Sequence, residues 1–211
     1  MAELTRIVLI RHGEAAVNVQ RIVGGPVGDT GLTPVGASQA SRLRERLSRT
    51  REFDAEVLVA SPLPRARETA EIALGHRAAQ VCFDPALEEL RVGESDGMSF
   101  SDAMLRWGVP DLYGDPDSVF CPGAESFNAF QRRVRGALLT LAERHLGRTV
   151  LAFTHGGVVD LSFATFFGLP EATAPTLGFA TRHTSLTVWT RRNRDPHWKL
   201  ERYNDAAHLA G

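Results

Sequence analysis

Three short stretches bring cations, imidazoles and bare backbone together: Arg11-His12-Gly13, Ser61-Pro62 leading to Arg65, and Thr154-His155-Gly156-Gly157. Two guanidiniums, two imidazoles and glycine-exposed amides suit a small tetrahedral anion. Arg presents a planar fork to phosphate oxygens, glycine lets backbone N–H groups approach them, and a helix starting after His155 adds its positive end. Binding alone needs no pair of histidines. A neutral imidazole can attack phosphorus, so the pattern points to phosphoryl transfer through a covalent intermediate, with Arg11, Arg65 and His155 sharing the charge on the equatorial oxygens. The leaving oxygen then needs a proton, and "ALEELRVGESDG" supplies Glu88 and Glu89. In general a carboxyl group beside a bound phosphate keeps its proton to higher pH, and once deprotonated it can act as base toward water. The rival for His12 and His155 is metal ligation with help from Glu14 or Asp160, which two flanking arginines disfavour by repelling a cation.

These residues sit where strands end. "LTRIVLI" (4–10), "EVLVA" (56–60) and "TVLAF" (149–153) are short aliphatic runs of the kind buried on both faces of a sheet. Between them, "GLTPVGASQASRLRERL" predicts a helix capped by Thr33 with Pro34 in its first turn, and residues 62–74 predict a second. "VCF" (81–83) reads as a third, short strand. Phe127, Phe130, Val134, Leu138 and Leu141 keep helical spacing over 126–145, and a further helix follows His155 to about Gly168. "TSLTVWTR" and "HWKLERY" read as two closing strands of alternating exposure. The expected fold is α/β, a three-layer α/β/α sandwich with a mostly parallel central sheet. Ligands of such sheets collect outside the carboxyl ends of the strands, where the two Arg and two His converge.

Composition narrows the partners. The 211 residues carry a formal net charge of −1, which removes the electrostatic case for nucleic acid or an anionic membrane surface. Cys82 and Cys121 are the only cysteines, lie in no metal or disulfide pattern, and suit a reducing cytoplasm. No apolar stretch approaches a membrane span or a signal segment. Of the 24 basic residues only Lys199 is not Arg, so a single Arg carries little weight and only the convergence does. Arg42, Arg44, Arg46, Arg49 and Arg51 read as a solvated helix face. His76, His145, His197 and His208 read as surface or packing residues, with His183 the weakest such case.

"LIRHGE", "SPLPRARETA", "LEELRVGESDG", "PGAES" and "THGGVV" follow one another as in the histidine phosphatase superfamily, and the chain resembles its branch of cofactor-dependent phosphoglycerate mutases and related phosphatases. "YNDAAHL" is similar to that branch's usual tail. The resemblance covers nearly the whole chain and implies one domain over 1–211, with a lid-like insertion at about 98–125. It implies His12 as the phosphorylated nucleophile, Arg11, Arg65 and His155 as the phosphate pocket, Asn18 as a further phosphate contact, and Glu89 rather than Glu88 as the acid. Arg21, Gly24 and Gly156 join Asn18 as expected substrate contacts. No metal and no cofactor are implied. Two departures bear on substrate contacts: Ala15-Ala16-Val17 replaces the more usual Thr-x-Trp, and Ser95 stands where Trp is common.

The expected function is a metal-independent phosphatase acting on small phosphomonoesters through a phosphohistidine. The alternatives are a cofactor-dependent phosphoglycerate mutase and a non-catalytic phospholigand-binding module, the latter having no need of His12, Arg65, Glu89 and His155 together. Within 98–130, Asp102, Asp111, Asp115, Asp117 and Glu125 outnumber the basic residues in the stretch that covers the site. With Trp107, Tyr113 and Phe120 as an aromatic wall, that charge argues against a second anionic group on the substrate and for hydrolysis over a mutase reaction. The expected partner is a small phosphorylated metabolite, with a homodimer left open.

Overall fold

The computed structural model describes residues 4–109, 111, 114–170, 178–193, 195 and 197–210. Along the chain come β1 (Leu4–Arg11), α1 (Ala16–Gln20), α2 (Pro34–Thr50), β2 (Val57–Ala60), α3 (Pro64–Leu74) and β3 (Cys82–Phe83). Then follow α4 (Phe100–Trp107), α5 (Phe127–Arg144), β4 (Thr149–Thr154), α6 (Gly156–Phe166), β5 (Leu186–Arg192) and β6 (Lys199–Asp205). The strands form one sheet in the order β3-β2-β4-β1-β5-β6. β1 through β4 are mutually parallel, whereas β5 runs antiparallel to β1 and β6 antiparallel to β5.

Strand alternation builds the three layers. Ile7 and Leu9 of β1 face one way, into a core with Phe130, Val134 and Leu138 of α5 and Val158 of α6. Val8 and Ile10 face the other way, against Leu43 of α2 and Ala70 and Leu74 of α3. Because both faces are covered, the central strands are continuously apolar. The same cover explains a correction: Leu186–Thr190 of β5 are all buried rather than alternating, since β5 is an interior strand. Arg46 is also not solvated. It is buried on α2, where its guanidinium pairs with Glu52 at 2.6 Å and with Asp205 of β6 at 2.6 Å. This hydrogen bond from Arg46 lowers the Asp205 carboxyl to about 2.

The helix starts behave as their residues dictate. Thr33 caps α2 by accepting the Gly36 N–H at 3.0 Å, and Pro34 occupies the first turn, where its missing N–H costs nothing. α4, not foreseen from the sequence, is capped by Ser99, which accepts from the Asp102 N–H at 3.0 Å, and stops at Gly108 with φ 84°. Both ends of the 98–125 segment are tied down. Val23 N–H donates to Met98 O at 2.8 Å and Phe100 N–H to Arg21 O at 3.0 Å, while Glu125 N–H donates to Arg91 O at 2.8 Å. Among the described residues no helix is long and apolar enough to cross a membrane.

Candidate active site

Strand register brings the first three motifs together. Arg11 pairs with Thr154 across β1 and β4, so the next residues, His12 and His155, emerge side by side with ring centroids 5.3 Å apart. Ala60 pairs with Phe153 across β2 and β4, which puts Ser61 next to Thr154 and within 2.7 Å of His155 Nε2 through its Oγ. Gly36 lets the His12 loop close on α2. A Cβ there would stand 2.0 Å from Glu14 O, which no side chain could tolerate.

The hydrogen bonds of His12 settle its tautomer. Its Nδ1 donates to Gly13 O at 2.6 Å, since a carbonyl can only accept, and that leaves the Nε2 lone pair to receive Arg65 Nε–H at 3.2 Å. Burial, and then the Arg65 charge, push the His12 pKa well below the ordinary imidazole value. The ring is therefore neutral, with its lone pair at Nε2 facing Arg65, the protonation state a nucleophile toward phosphorus requires. Burial and Arg65 act on His155 in the same direction. His155 Nδ1 is buried and has no partner among the described residues, as is the case for Arg11 Nε, while Arg11 Nη1 donates to Thr181 O. Burial lowers the Arg11 pKa from its ordinary value, with the neighbouring Glu89 and Asp160 charges acting the other way.

Arg65 is held by a carboxylate that the sequence reading did not single out. Asp29, fully buried at its side chain, accepts Arg65 Nη1–H at 2.8 Å and the Arg65 backbone N–H at 3.1 Å, and its other oxygen accepts the Gly31 N–H at 3.0 Å. An Asp two residues before a turn glycine is the available sequence signal for such a role. Arg65 Nη1 also donates to Gly24 O at 3.0 Å, so Gly24 meets the site through its carbonyl.

Glu89 reaches the same place. One carboxylate oxygen accepts the Gly157 N–H at 3.0 Å and the other the Leu90 N–H at 3.1 Å; a Cβ on Gly157 would stand 2.2 Å from Glu89 Oε1. Glu88 turns away and pairs with Arg91 at 3.0 Å. Asp160, on the first turns of α6, is raised to about 6 by burial and then by the neighbouring Glu89 charge, against a hydrogen bond from Thr181. Among the described residues no group of three or more His, Cys, Asp or Glu is placed to hold a metal ion.

A cavity of about 1030 Å³ opens over these groups. Arg11, His12, Arg65, Glu89 and Gly156 form its floor, and Asn18, Arg21 and Gly24 lie on its wall. His155 lies behind the floor, fully buried. Asn18 turns its side-chain oxygen back to the Ala15 N–H at 3.2 Å, and Arg21 is exposed at φ 55°. Val17, which stands at the resembling pattern's Trp position, is buried at the cavity's edge beside Gly24. Ser95 is buried beneath the wall, donating to Val92 O at 2.6 Å.

The expected aromatic wall is corrected. Trp107 and Phe120 pack edge to face at 5.9 Å, with Arg106 over Trp107, and neither lines the cavity. Tyr113 lies outside the described residues. Phe100 and Met104, one turn apart on α4, take the place, because Ser99 starts the helix with that face toward the cavity. The acidic residues do not line it either. Asp102 bonds the Ser99 cap at 2.7 Å, Asp111 closes a turn on the Gly114 N–H at 2.7 Å, and Glu125 pairs with Arg133.

His183 and Arg133 complete the site. His183 Nδ1 donates to His12 O at 3.1 Å with the two rings 5.5 Å apart, a placement that follows from β5 running antiparallel beside β1 and that no local pattern reveals. Arg133 of α5 donates to Ala86 O at 3.0 Å, Glu88 O at 2.9 Å and Glu89 O at 3.1 Å, and pairs with Glu125 at 2.6 Å. It fastens the backbone that carries Glu89 to a helix and is a positioning residue. Arg133→Ala is expected to lower kcat on alkyl phosphates about 10- to 10²-fold, in line with the cost of a small misplacement. The loss should be smaller on nitrophenyl phosphate, and Arg133→Lys should recover part of it. An equal loss on both esters would make the role merely structural.

A neutral buried imidazole flanked by guanidiniums at the carboxyl ends of the parallel strands of a mixed sheet defines an α/β protein that handles phosphoryl groups. The chain belongs to the histidine phosphatase superfamily, branch 1, whose family model matches residues 7–206. It is 29% identical over 220 residues to the metal-independent phosphoserine phosphatase of Arabidopsis thaliana, covering 99% of this chain and 85% of that one. It is 30% identical over 216 residues to phosphoglycerate mutase-like protein 4 of the same plant, covering 98% and 88%. The structure of an alpha-ribazole phosphatase from Shigella flexneri matches with a TM-score of 0.80 at 25% identity, covering 95% of this chain and 96% of that one.

Proposed function

We propose that the protein is a metal-independent phosphatase that hydrolyses small phosphomonoesters through a phosphohistidine on His12. The observation that carries this reading is the His12 ring itself, neutral, with its proton on Nδ1 and its Nε2 lone pair facing the guanidinium of Arg65. The phosphoryl oxygens are received by Arg65, by Arg11 Nε and His155 Nδ1, and by the N-terminus of α6. His12 Nε2 attacks phosphorus and the ester P–O bond breaks in line, the leaving alkoxide taking a proton from Glu89. Gly13 O then balances the positive charge on the phosphorylated ring through Nδ1–H. Glu89, now a carboxylate, takes a proton from water, whose oxygen attacks phosphorus; His12 is released and inorganic phosphate leaves. Residues 98–125 act as a cover over the site, contributing Ser99, Phe100 and Met104 to the wall.

Hydrolysis is favoured over a mutase reaction because a mutase must hold a second anionic group within the cavity. Above the floor, Arg21 is the one charged side chain among the described lining residues. We assign the protein to the cytoplasm, since Cys82 and Cys121 are both free thiols, as a reducing compartment leaves them. The test is a panel of intracellular phosphomonoesters run in excess chelator, alongside interconversion of 2- and 3-phosphoglycerate with bisphosphoglycerate present. Hydrolysis should survive the chelator unchanged, because Arg11 and Arg65 supply the fixed positive charge that a divalent ion supplies elsewhere. Loss with rescue by one specific metal, or fast interconversion with negligible hydrolysis, would overturn the reading.

A further inference from the structure

The cavity is far larger than its phosphate end. Its floor holds the groups that receive a phosphoryl dianion, yet the cavity as a whole, floor included, is about 1030 Å³, the size of a site for a drug-sized ligand. What surrounds that space is mostly hydrocarbon: Ile22, Val23, Leu90, Val92, Phe100 and Met104. Phe100 is 48% exposed and Met104 42% although both are large and apolar and both line the cleft. Large apolar side chains left uncovered side by side around a cleft mark a place where an apolar group binds.

The wall is preformed. The Arg21–Val23 strip and the Met98–Phe100 strip are joined by backbone hydrogen bonds at 2.8 and 3.0 Å, and Asp96 accepts the N–H groups of Gly25, Val27 and Gly28, each at 2.8 Å. These bonds hold the loop carrying Ile22 and Val23 against the start of α4. An apolar guest therefore meets surfaces already in position, with little ordering entropy to lose. A small charged substrate would fare worse. The amino-acid end of phosphoserine needs both an anion and a cation site, and phosphoglycerate needs a cation for its carboxylate. The described wall offers one charged group, exposed Arg21, and the neutral polar side chains of Asn18, Gln20, Ser99 and Ser101, among aliphatic and aromatic carbon.

Resting on the phosphatase reading above, we infer that the substrate is the monophosphate of an alcohol bearing an extended, uncharged, mainly apolar group, with Ile22, Val92, Phe100 and Met104 as the specificity-determining residues. The ester ROPO₃²⁻ and water become ROH and HPO₄²⁻; the apolar part of R lies along α4 and the 21–23 strip while its oxygen stays at Glu89. This substrate class differs from that named for the Arabidopsis phosphoserine phosphatase.

The test is the series of n-alkyl monophosphates from ethyl to decyl, whose leaving alcohols are nearly equally basic, so that chain length varies binding and not chemistry. Each added methylene should raise kcat/KM about two- to fourfold, as burial of a CH₂ predicts, until the chain fills the cavity and the profile levels. Octyl phosphate should exceed ethyl phosphate by about 10²-fold or more, and should exceed phosphoserine and 3-phosphoglycerate. Met104→Ser and Phe100→Ser should each reduce the octyl-to-ethyl ratio about tenfold. A flat profile, a preference for phosphoserine or phosphoglycerate, or a ratio untouched by both variants would overturn the substrate class while leaving the phosphatase standing. Failure to turn over any ester, nitrophenyl phosphate included, with no phosphoenzyme trapped, would instead overturn the phosphatase reading.

Discussion

His12→Ala should lower turnover by about 10⁵-fold, the scale on which removal of a covalent nucleophile acts, while the folded structure persists. The ring is attached at the tip of β1, beyond the last residue of the strand, and its side chain belongs to neither hydrophobic core. What disappears is the group proposed to carry the phosphoryl moiety between ester and water. Rapid-quench labelling of the unaltered protein should trap an acid-labile, alkali-stable phosphoenzyme, the pattern of a phosphorus–nitrogen bond, and the variant should trap none. Circular dichroism and a thermal melt check that the variant is folded. An acid-stable phosphoenzyme, or a variant that keeps more than a tenth of the activity, would remove His12 from the nucleophile's role.

Glu89→Gln should slow hydrolysis of esters with strongly basic leaving oxygens about 10²- to 10⁴-fold, and that of nitrophenyl phosphate far less. An alkoxide cannot depart without a proton, whereas nitrophenolate can. The geometry sharpens the comparison: both Glu89 oxygens accept backbone N–H groups, so the substituted amide loses the transferable proton and turns an NH₂ toward one of those donors. Glu88→Gln is the control, because Glu88 faces Arg91 and does not line the cavity over His12. Equal losses on both kinds of ester, or an equal effect of Glu88→Gln, would deny Glu89 the role of acid. The expected ordering is His12 before Glu89 before Arg133, from the group that forms a bond to the one that only holds another in place.

Much of this was legible in local sequence because its causes are local. Aliphatic runs ending in Arg11-His12, Ser61 and Thr154-His155 can only be buried strands that deliver polar residues to one edge, and the parallel order follows from the helices between them. Thr33 and Pro34 announce α2, and the 3.6 period announces α5. Motif resemblance selects Glu89 over Glu88, and the backbone places the two differently: Gly157 leaves room for the Glu89 carboxylate at the cavity, while Glu88 pairs with Arg91 outside it.

What only the tertiary structure decided are contacts between segments far apart in the chain, where no pattern in either segment encodes the partner. Asp29 meets Arg65, Arg133 meets the carbonyls of Ala86, Glu88 and Glu89, and His183 meets His12 across 171 positions. Arg46 reads as surface until β6 returns beside α2 with Asp205. The cavity wall belongs to this class as well. Counting acids in the covering segment suggests a repulsive wall, yet none of the five lines the cavity, and three of them, Asp102, Asp111 and Glu125, are engaged at a helix cap, a turn and an ion pair. Phe100, Met104 and Trp107 share one face of α4, and it is distance along the axis that separates them: the first turns after the Ser99 cap lie over the cavity, whereas Trp107, two turns from Phe100, packs against Phe120 instead.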